Sequence, residues 1–320
     1  MPVTITFTAD AVPASLSALK QPPVTFPVTY LATLALTFNA FVWGVSWWPF
    51  RELQNQGVHP LWATAMIYLF AMICVTVVRP ATWLGFRKPS LLWLLMLAAG
   101  VTNVGFNWAV TVGDVVRVVL LFYLMPGWVV LLAWPLLGEK PTAGSVLRLA
   151  LAFIGVVIVL KTPESPWPLP ESLADWLAIL GGFSFALTNI LLKKLNQTAE
   201  SARILAMFIG AAVLSVAVAW IGVGVGLTTW PPAPGWPWMG IALVLGLAFL
   251  VGNLAMQYGA ARLSASATSL IMLTEVIYAS VSATLLGAGE LTMRTLVGGA
   301  FILLASLLSV VSFKPTPHPI

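Results

Sequence analysis

Val101-Thr-Asn-Val-Gly-Phe-Asn-Trp108 is answered 150 residues later by Val251-Gly-Asn-Leu-Ala-Met-Gln-Tyr258. Asn103 aligns with Asn253, Asn107 with Gln257 and Trp108 with Tyr258, and the same offset brings Asp114 onto Ser264. Moving outward, Gly138-Glu139 matches Gly289-Glu290 at an offset of 151, and Leu53 matches Leu195 at 142. The drift fits an insertion of about eight residues in a Trp/Pro-rich loop of the second copy. Apolar helices resemble one another by composition alone. Amides and acids are scarce in this chain, however, so their coincidence argues for an internal repeat.

The sequence around both stretches excludes a soluble protein. Of 320 residues, 60% are hydrophobic and 8% charged, against about 25% charged in an ordinary globular domain. Apolar runs of the roughly 20 residues that cross a bilayer recur from Val28 almost to the end. Cuts at charges, prolines and glycine clusters predict ten spans, near 28–50, 61–80, 90–111, 115–137, 144–161, 174–195, 203–222, 237–260, 265–286 and 293–313. The chain reads as an all-α integral membrane protein whose ten transmembrane helices form a 5+5 inverted repeat, because an odd number of spans per copy reverses the second copy in the membrane. Residues 28–161 make the first copy and 174–313 the second, with tails at 1–27 and 314–320. The first tail lacks a basic region ahead of an apolar one and contains Pro2, Pro13, Pro22 and Pro23, so it reads as flexible and not as a cleaved signal peptide.

Orientation follows from the cations. With both termini cytoplasmic, Lys20, Arg79, Arg87, Lys88, Lys140, Arg148, Lys193, Lys194, Arg203, Arg262 and Lys314 lie inside, which is 11 of 15. Arg51, Arg117, Lys161 and Arg294 do not, and positive charge favours the cytoplasmic side. The uncharged segment Trp230-Pro-Pro-Ala-Pro-Gly-Trp-Pro-Trp238 suits an external loop at the headgroups, and Trp83, Trp134, Trp176 and Trp220 near span ends suit interfacial anchoring. Cys74 lacks a partner for an intramolecular disulfide, and His59 beside Pro60 and His318 in the tail suggest no metal site. No basic block points to nucleic acid.

Polar groups inside spans are expensive and mark the candidate site. Asn39, Trp43, Ser46 and Phe50 recur on one face of the first span, as do Asn103 and Asn107 in the third, followed by Trp108. The eighth span carries Asn253, Gln257 and Tyr258, and the sixth carries Phe185, Thr188 and Asn189. These faces suit either one central chamber or hydrogen bonds between packed helices. Glu275 lies mid-span, three residues before Tyr278, where a carboxylate costs about 3 kcal/mol on insertion scales. It suits a substrate ammonium, a carried proton or a structural partner. Arg117 is placed to snorkel to the interface, to receive a substrate carboxylate, or to be neutralised by Asp114 on the same face. Glu139 and Glu290 are expected to cap the helices that follow them, and Pro126 removes a backbone hydrogen bond where a hinge would serve.

No phosphate-binding glycine loop, no Ser/His/Asp spacing and no Cys/His cluster is present in the sequence, so no cofactor is expected, and ATP-driven transport and intramembrane hydrolysis lose support. The five-plus-five spans, the short loops, Trp43-Gly44, Leu136-Leu-Gly-Glu-Lys-Pro-Thr142 and Gly287-Ala-Gly-Glu-Leu-Thr292 together resemble the EamA-type drug/metabolite transporters over residues 28–313. Where that family often has Glu-Pro in its ninth span, this chain has Glu275-Val276. Within the family, Gly113-Asp-Val-Val-Arg-Val-Val-Leu-Leu-Phe-Tyr-Leu-Met-Pro-Gly-Trp128 is most similar to bacterial exporters of aromatic and other hydrophobic amino acids.

The resemblance implies a secondary transporter of the bacterial inner membrane that exports such amino acids by alternating access, with the aromatic faces of Trp43, Trp108, Tyr258 and Tyr278 around the substrate. Exporters of drugs, organic cations or other metabolites share the family. A membrane receptor or assembly subunit that kept the fold and lost the transport cycle is the rival of another class. The partners expected are a small molecule and the lipid bilayer, with the oligomeric state open.

Overall fold

The computed structural model describes residues 26–87, 91–161, 169–263, 268 and 271–311. Lys20, Lys88, Ser264, Lys314, His318 and most of both tails lie outside them. Among the described residues the regular structure is entirely helical: α1 (Phe26–Val45), α2 (Trp47–Asn55), α3 (Pro60–Val78), a 3-10 helix (Pro80–Arg87), α4 (Leu92–Val112), α5 (Val115–Phe122), α6 (Met125–Leu137), α7 (Ala143–Leu160), α8 (Leu173–Lys194), α9 (Glu200–Gly224), α10 (Trp236–Ala260), α11 (Thr274–Leu285) and α12 (Met293–Val311).

Eight helical stretches, counting α1 with α2 and α5 with α6 as one each, are long and apolar enough to cross a membrane. The ninth and tenth expected spans are represented by α11 and by the shorter apolar stretch Met293–Leu308 of α12. Large apolar side chains cover the outside, Leu, Val and Ile among them. A surface of that kind is stable only in lipid. Trp83, Trp134, Trp176 and Trp220 are all exposed near helix ends.

Three spans are broken, each for a local reason. Ser46 separates α1 from α2, and its hydroxyl donates to the Trp43 carbonyl at 2.8 Å, a back-bond that competes with the helical ladder. α5 ends before Tyr123 and Leu124, and α6 restarts with Pro126 in its first turn, where a missing N–H leaves no helical bond unmade. Pro126 thus marks the start of the second half-helix instead of kinking a continuous one. The Phe122 carbonyl, four residues before Pro126, lies 2.5 Å from where a Cβ on Gly182 would stand, so only glycine on α8 admits it. Leu273 interrupts the ninth span in the same way even though no proline follows Glu275. There the Glu275 carbonyl lies 2.8 Å from a Cβ built on Gly44 of α1.

Polar contacts fix the relative directions. Arg51 in the middle of the short helix α2 donates to the Gly113 carbonyl just past the end of α4, so α1–α2 and α4 finish on the same side. Asp175 at the start of α8 bonds Arg117 at the start of α5 on that side, and Ser184 further along α8 donates to the Ala98 carbonyl near the start of α4. α8 therefore runs opposite to α1 and α4. Helix pairs that pack together include α4 with α8 and α9, α1 with α10 and α11, α3 with α4, α9 and α10, α5 and α6 with α8, α6 with α7, α5 with α11, and α7 with α12.

The turns after α6 and α11 are built alike. Gly138 and Gly287 adopt positive φ, the left-handed cap that glycine allows. Thr142 accepts from the Ser145 N–H at 3.2 Å, and Thr292 accepts from the Thr295 N–H at 3.2 Å. The threonine that follows each Gly-Glu pair, Thr142 after two intervening residues and Thr292 after one, is thus the helix cap, which corrects the expectation for Glu139 and Glu290. Glu139 instead pairs with Lys193. Glu290 offers its backbone N–H to Asp114 at 2.8 Å.

His59 caps α3 by accepting from the Leu61 N–H at 3.3 Å, and its ring packs edge-to-face with Trp108, the ring centres 5.1 Å apart. Burial holds the imidazole below its ordinary value. A depressed pKa favours the neutral ring in the fold, so its contribution is complete above about pH 6.5 and is lost as the pH falls. Thermal melts in detergent are expected to weaken below that pH. His59→Asn, which retains a capping oxygen, should remove that pH dependence, whereas His59→Ala should lower stability by about 1 kcal/mol. An unchanged profile in His59→Asn would assign the loss to another group.

Candidate functional site

The expected polar residues gather in two groups on either side of an aromatic wall. In the first, Glu275 of α11 is 8% exposed and accepts from the Tyr123 hydroxyl at 3.1 Å. That hydroxyl also lies 3.5 Å from the Met272 carbonyl, and the Met272 sulfur accepts from Asn39 Nδ2 of α1 at 3.5 Å. In the second, Tyr68 of α3 donates to Asn103 Oδ1 at 2.5 Å, and Asn107 Nδ2 donates to Thr64 at 3.1 Å. Between them the Trp43 ring meets Phe249 edge-on at 4.6 Å and Phe106 at 6.1 Å, and Phe249 lies 6.0 Å from Tyr68.

Two amide oxygens in these groups, Asn39 Oδ1 and Asn107 Oδ1, are buried without a hydrogen-bond partner. A buried acceptor left open costs about 1–3 kcal/mol, so a donor that reached either oxygen would be stabilised there. Gly252 of α10 keeps the first one uncovered, since a Cβ there would stand 3.3 Å from Asn39 Oδ1. With Glu275, these oxygens give two acceptor-rich groups that adjoin the same aromatic rings. That arrangement suits a cation carrying apolar groups.

The other expected residues make contacts of their own. Asn103 Nδ2 and Asn253 Nδ2 both donate to the carbonyl four residues back, Ala99 and Phe249, at 2.8 Å each, so the residues matched in sequence make matched bonds. Tyr278 packs edge-on against Phe41 at 5.4 Å. The Tyr258 ring is covered by the Arg262 guanidinium at 3.7 Å, and Gln257 is half-buried beside it. Trp108 is occupied by His59, and Ser46 by its own helix. Phe185 leans on Phe122 at 5.5 Å, Thr188 is buried, and Asn189 is exposed.

Arg117 is not open to a substrate carboxylate. Its guanidinium grips Asp175 with two bonds of 2.8 and 2.9 Å, and Nη1 lies 3.3 Å from the Val159 carbonyl. Asp114, the expected neutraliser, instead caps α5 by accepting from the Arg117 N–H at 2.7 Å. The residues that sequence reasoning passed over are Tyr123, Tyr68, Thr64 and Asp175. Asp175 carried a usable signal: like Arg117, it is an ionisable group a few residues inside a span that begins on the same side.

The sequence pattern of the EamA-like transporter family matches residues 31–161 and, a second time, residues 172–311. The chain belongs to the EamA-like transporter family. Membership in this family sets it among multi-pass membrane transporters with small-molecule substrates, in the drug/metabolite transporter superfamily, and not among enzymes. A stretch of 170 residues is 25% identical to Protein RarD of Streptomyces exfoliatus, spanning 50% of this chain and about half, 51%, of that curated relative. A solved crystal structure shares the fold at a TM-score of 0.54 and 15% identity, covering 88% of this chain and 96% of its own.

Proposed function

We propose that this EamA-like protein is a secondary transporter of the bacterial inner membrane that exports aromatic or other hydrophobic amino acids. It works by alternating access between two antiparallel five-helix repeats, with both termini cytoplasmic. The observation that carries the reading is the pair of acceptor groups, Glu275 with Asn39 Oδ1 in one and Asn107 Oδ1 in the other, with the Trp43, Phe249 and Phe106 rings between them. The acceptors suit an ammonium and the rings suit an apolar side chain. Substrate contacts are assigned to Asn39, Trp43, Asn103, Asn107, Trp108, Asn253, Gln257, Tyr258, Glu275 and Tyr278. Ser46 shapes the α1–α2 break, and Pro126 marks the hinge.

The repeat reading draws support from the helix contacts. Exchanging α1, α3, α4, α5–α6 and α7 with α8, α9, α10, α11 and α12 turns each of the packing pairs α4–α8, α4–α9 and α6–α8 into one that is also present, α10–α1, α10–α3 and α11–α1. The pairs α3–α9, α5–α11 and α7–α12 map onto themselves. The symmetry holds for these contacts between the two repeats and not for α6–α7 or α3–α4 within the first, and symmetric contacts between repeats suit two states open to opposite sides.

Ligand-dependent melting of the purified protein tests the substrate class. Phenylalanine, tryptophan and leucine at saturating concentration are expected to raise the melting temperature, because a ligand that binds only the folded state stabilises it. N-acetylated phenylalanine, which lacks the ammonium, and glutamate are expected to leave it unchanged. Equal stabilisation by the acetylated compound would remove the ammonium from the account.

A further inference from the structure

The two ends of the molecule differ in a way that the repeat makes informative. Lys193 lies 142 residues after Arg51, the offset that also relates Leu53 to Leu195, and Glu290 lies 151 residues after Glu139. By the sequence match the pair Arg51 and Glu290 is therefore the counterpart, at the opposite end, of the pair Lys193 and Glu139, with Glu290 two residues further from its left-handed glycine than Glu139 is. In each pair the glutamate follows a broken span of one repeat and the cation lies in the last third of the first span of the other.

Only one of these two pairs is made. Lys193 binds Glu139, and the other ion pair among the described residues is Arg117 with Asp175. At the opposite end, Arg51 and Glu290 line a common polar cavity of about 510 Å³. There the Arg51 guanidinium donates to the carbonyls of Val110 and Gly113, lies 5.3 Å from the Trp47 ring and is attracted by the Asp114 carboxylate, which also accepts from the Glu290 N–H.

We infer that Lys193–Glu139 and Arg51–Glu290 are reciprocal latches, each made when the other is open, so that the structure is latched at the Lys193 end and open at the Arg51 end. This inference rests on the two-repeat reading given above. When the repeats exchange conformations, the Gly289–Glu290 turn closes over the cavity onto Arg51, and the Gly138–Glu139 turn leaves Lys193. The four side chains are positioning residues that set the balance between the two states. Both members of the made pair are more than half exposed on their side chains, at 57% and 51%. Such a pair biases an equilibrium by about two- to five-fold, enough to tune the balance without locking it.

Disulfide trapping in the full-length protein tests the inference. Arg51→Cys with Glu290→Cys is made in a Cys74→Ser background, reconstituted in nanodiscs and oxidised with copper phenanthroline. The two positions are expected to cross-link slowly, since bridging requires Cα atoms within about 7 Å and hence the state in which the cavity is shut. Adding Glu139→Gln, or separately Lys193→Gln, should accelerate cross-linking about two- to five-fold by releasing the opposite latch. The swap of Lys193→Glu with Glu139→Lys should return it to the starting rate. Cross-linking that is absent, or that is unmoved by both neutralising variants in monodisperse protein, would overturn the latch. The measurement needs no substrate, so it separates from the transport reading: coupled cross-linking in a protein without flux would leave the latch standing, and flux with uncoupled cross-linking would remove it.

Discussion

Glu275→Gln is expected to reduce transport of a hydrophobic amino acid by about ten- to a hundred-fold while leaving the folded protein as stable as before or more so. The amide keeps the shape of the side chain and can still accept from Tyr123, 3.1 Å away in the native protein. What it loses is the charge facing a substrate ammonium or a carried proton. A hydrogen bond to a charged group is worth about 1.5–3 kcal/mol, which sets the scale of the loss, and removing a mid-span carboxylate relieves an insertion penalty of about 3 kcal/mol. Tyr123→Phe isolates the other half of the pair and should lower stability more than Glu275→Gln does, because it leaves a buried carboxylate without its donor. Comparing flux with melting temperature separates these effects. Wild-type flux in Glu275→Gln together with a lower melting temperature would make the carboxylate purely structural.

Arg117→Leu should be the most damaging substitution for folding, by about 3–5 kcal/mol, because removing one partner of a buried pair strands the other charge. The Asp175 side chain is 3% exposed, and that of Arg117 is 21% exposed. Asp175 also accepts from the N–H groups of Glu171 and Ser172 at 3.2 and 3.4 Å, so it is tied to the start of α8 as well as to α5. Asp175→Asn retains part of that cap and should cost less. Arg117→Leu combined with Asp175→Asn should recover part of the loss of the single arginine variant, since the two effects are coupled through one bond. Melting curves of the three variants by fluorescence-detected size exclusion check the order. An arginine variant as stable as the native protein would mean that Asp175 finds water.

The repeat was legible because polar residues are rare here and therefore carry information. Asn103 and Asn253 could be matched before any coordinates, and they make the same bond to the carbonyl four residues back. Hydropathy located the spans for a similar reason: few charges interrupt them. The rotation of each helix about its axis was not legible. Spans that face lipid on one side and apolar neighbours on the other are hydrophobic all round, so periodicity gives little sign of which polar group meets which. Tyr123 and Glu275 are 152 residues apart, and Arg117 and Asp175 are 58 apart. Their meeting depends on the break at Leu124 and on glycines that let helices approach. The capping role went to Thr142 and Thr292 instead of the adjacent glutamates because the helix begins one turn later, after the left-handed glycine has redirected the chain.

The central claim is that this chain carries a small amphipathic amine across the bilayer. Its most direct test is counterflow in sealed liposomes containing only the purified protein, preloaded with unlabelled phenylalanine and diluted into labelled phenylalanine. The account predicts a transient, saturable accumulation of label above that of protein-free vesicles, competed by leucine and tryptophan and abolished by Glu275→Gln. No accumulation with any hydrophobic amino acid or organic amine, from protein that is folded and inserted, would contradict it.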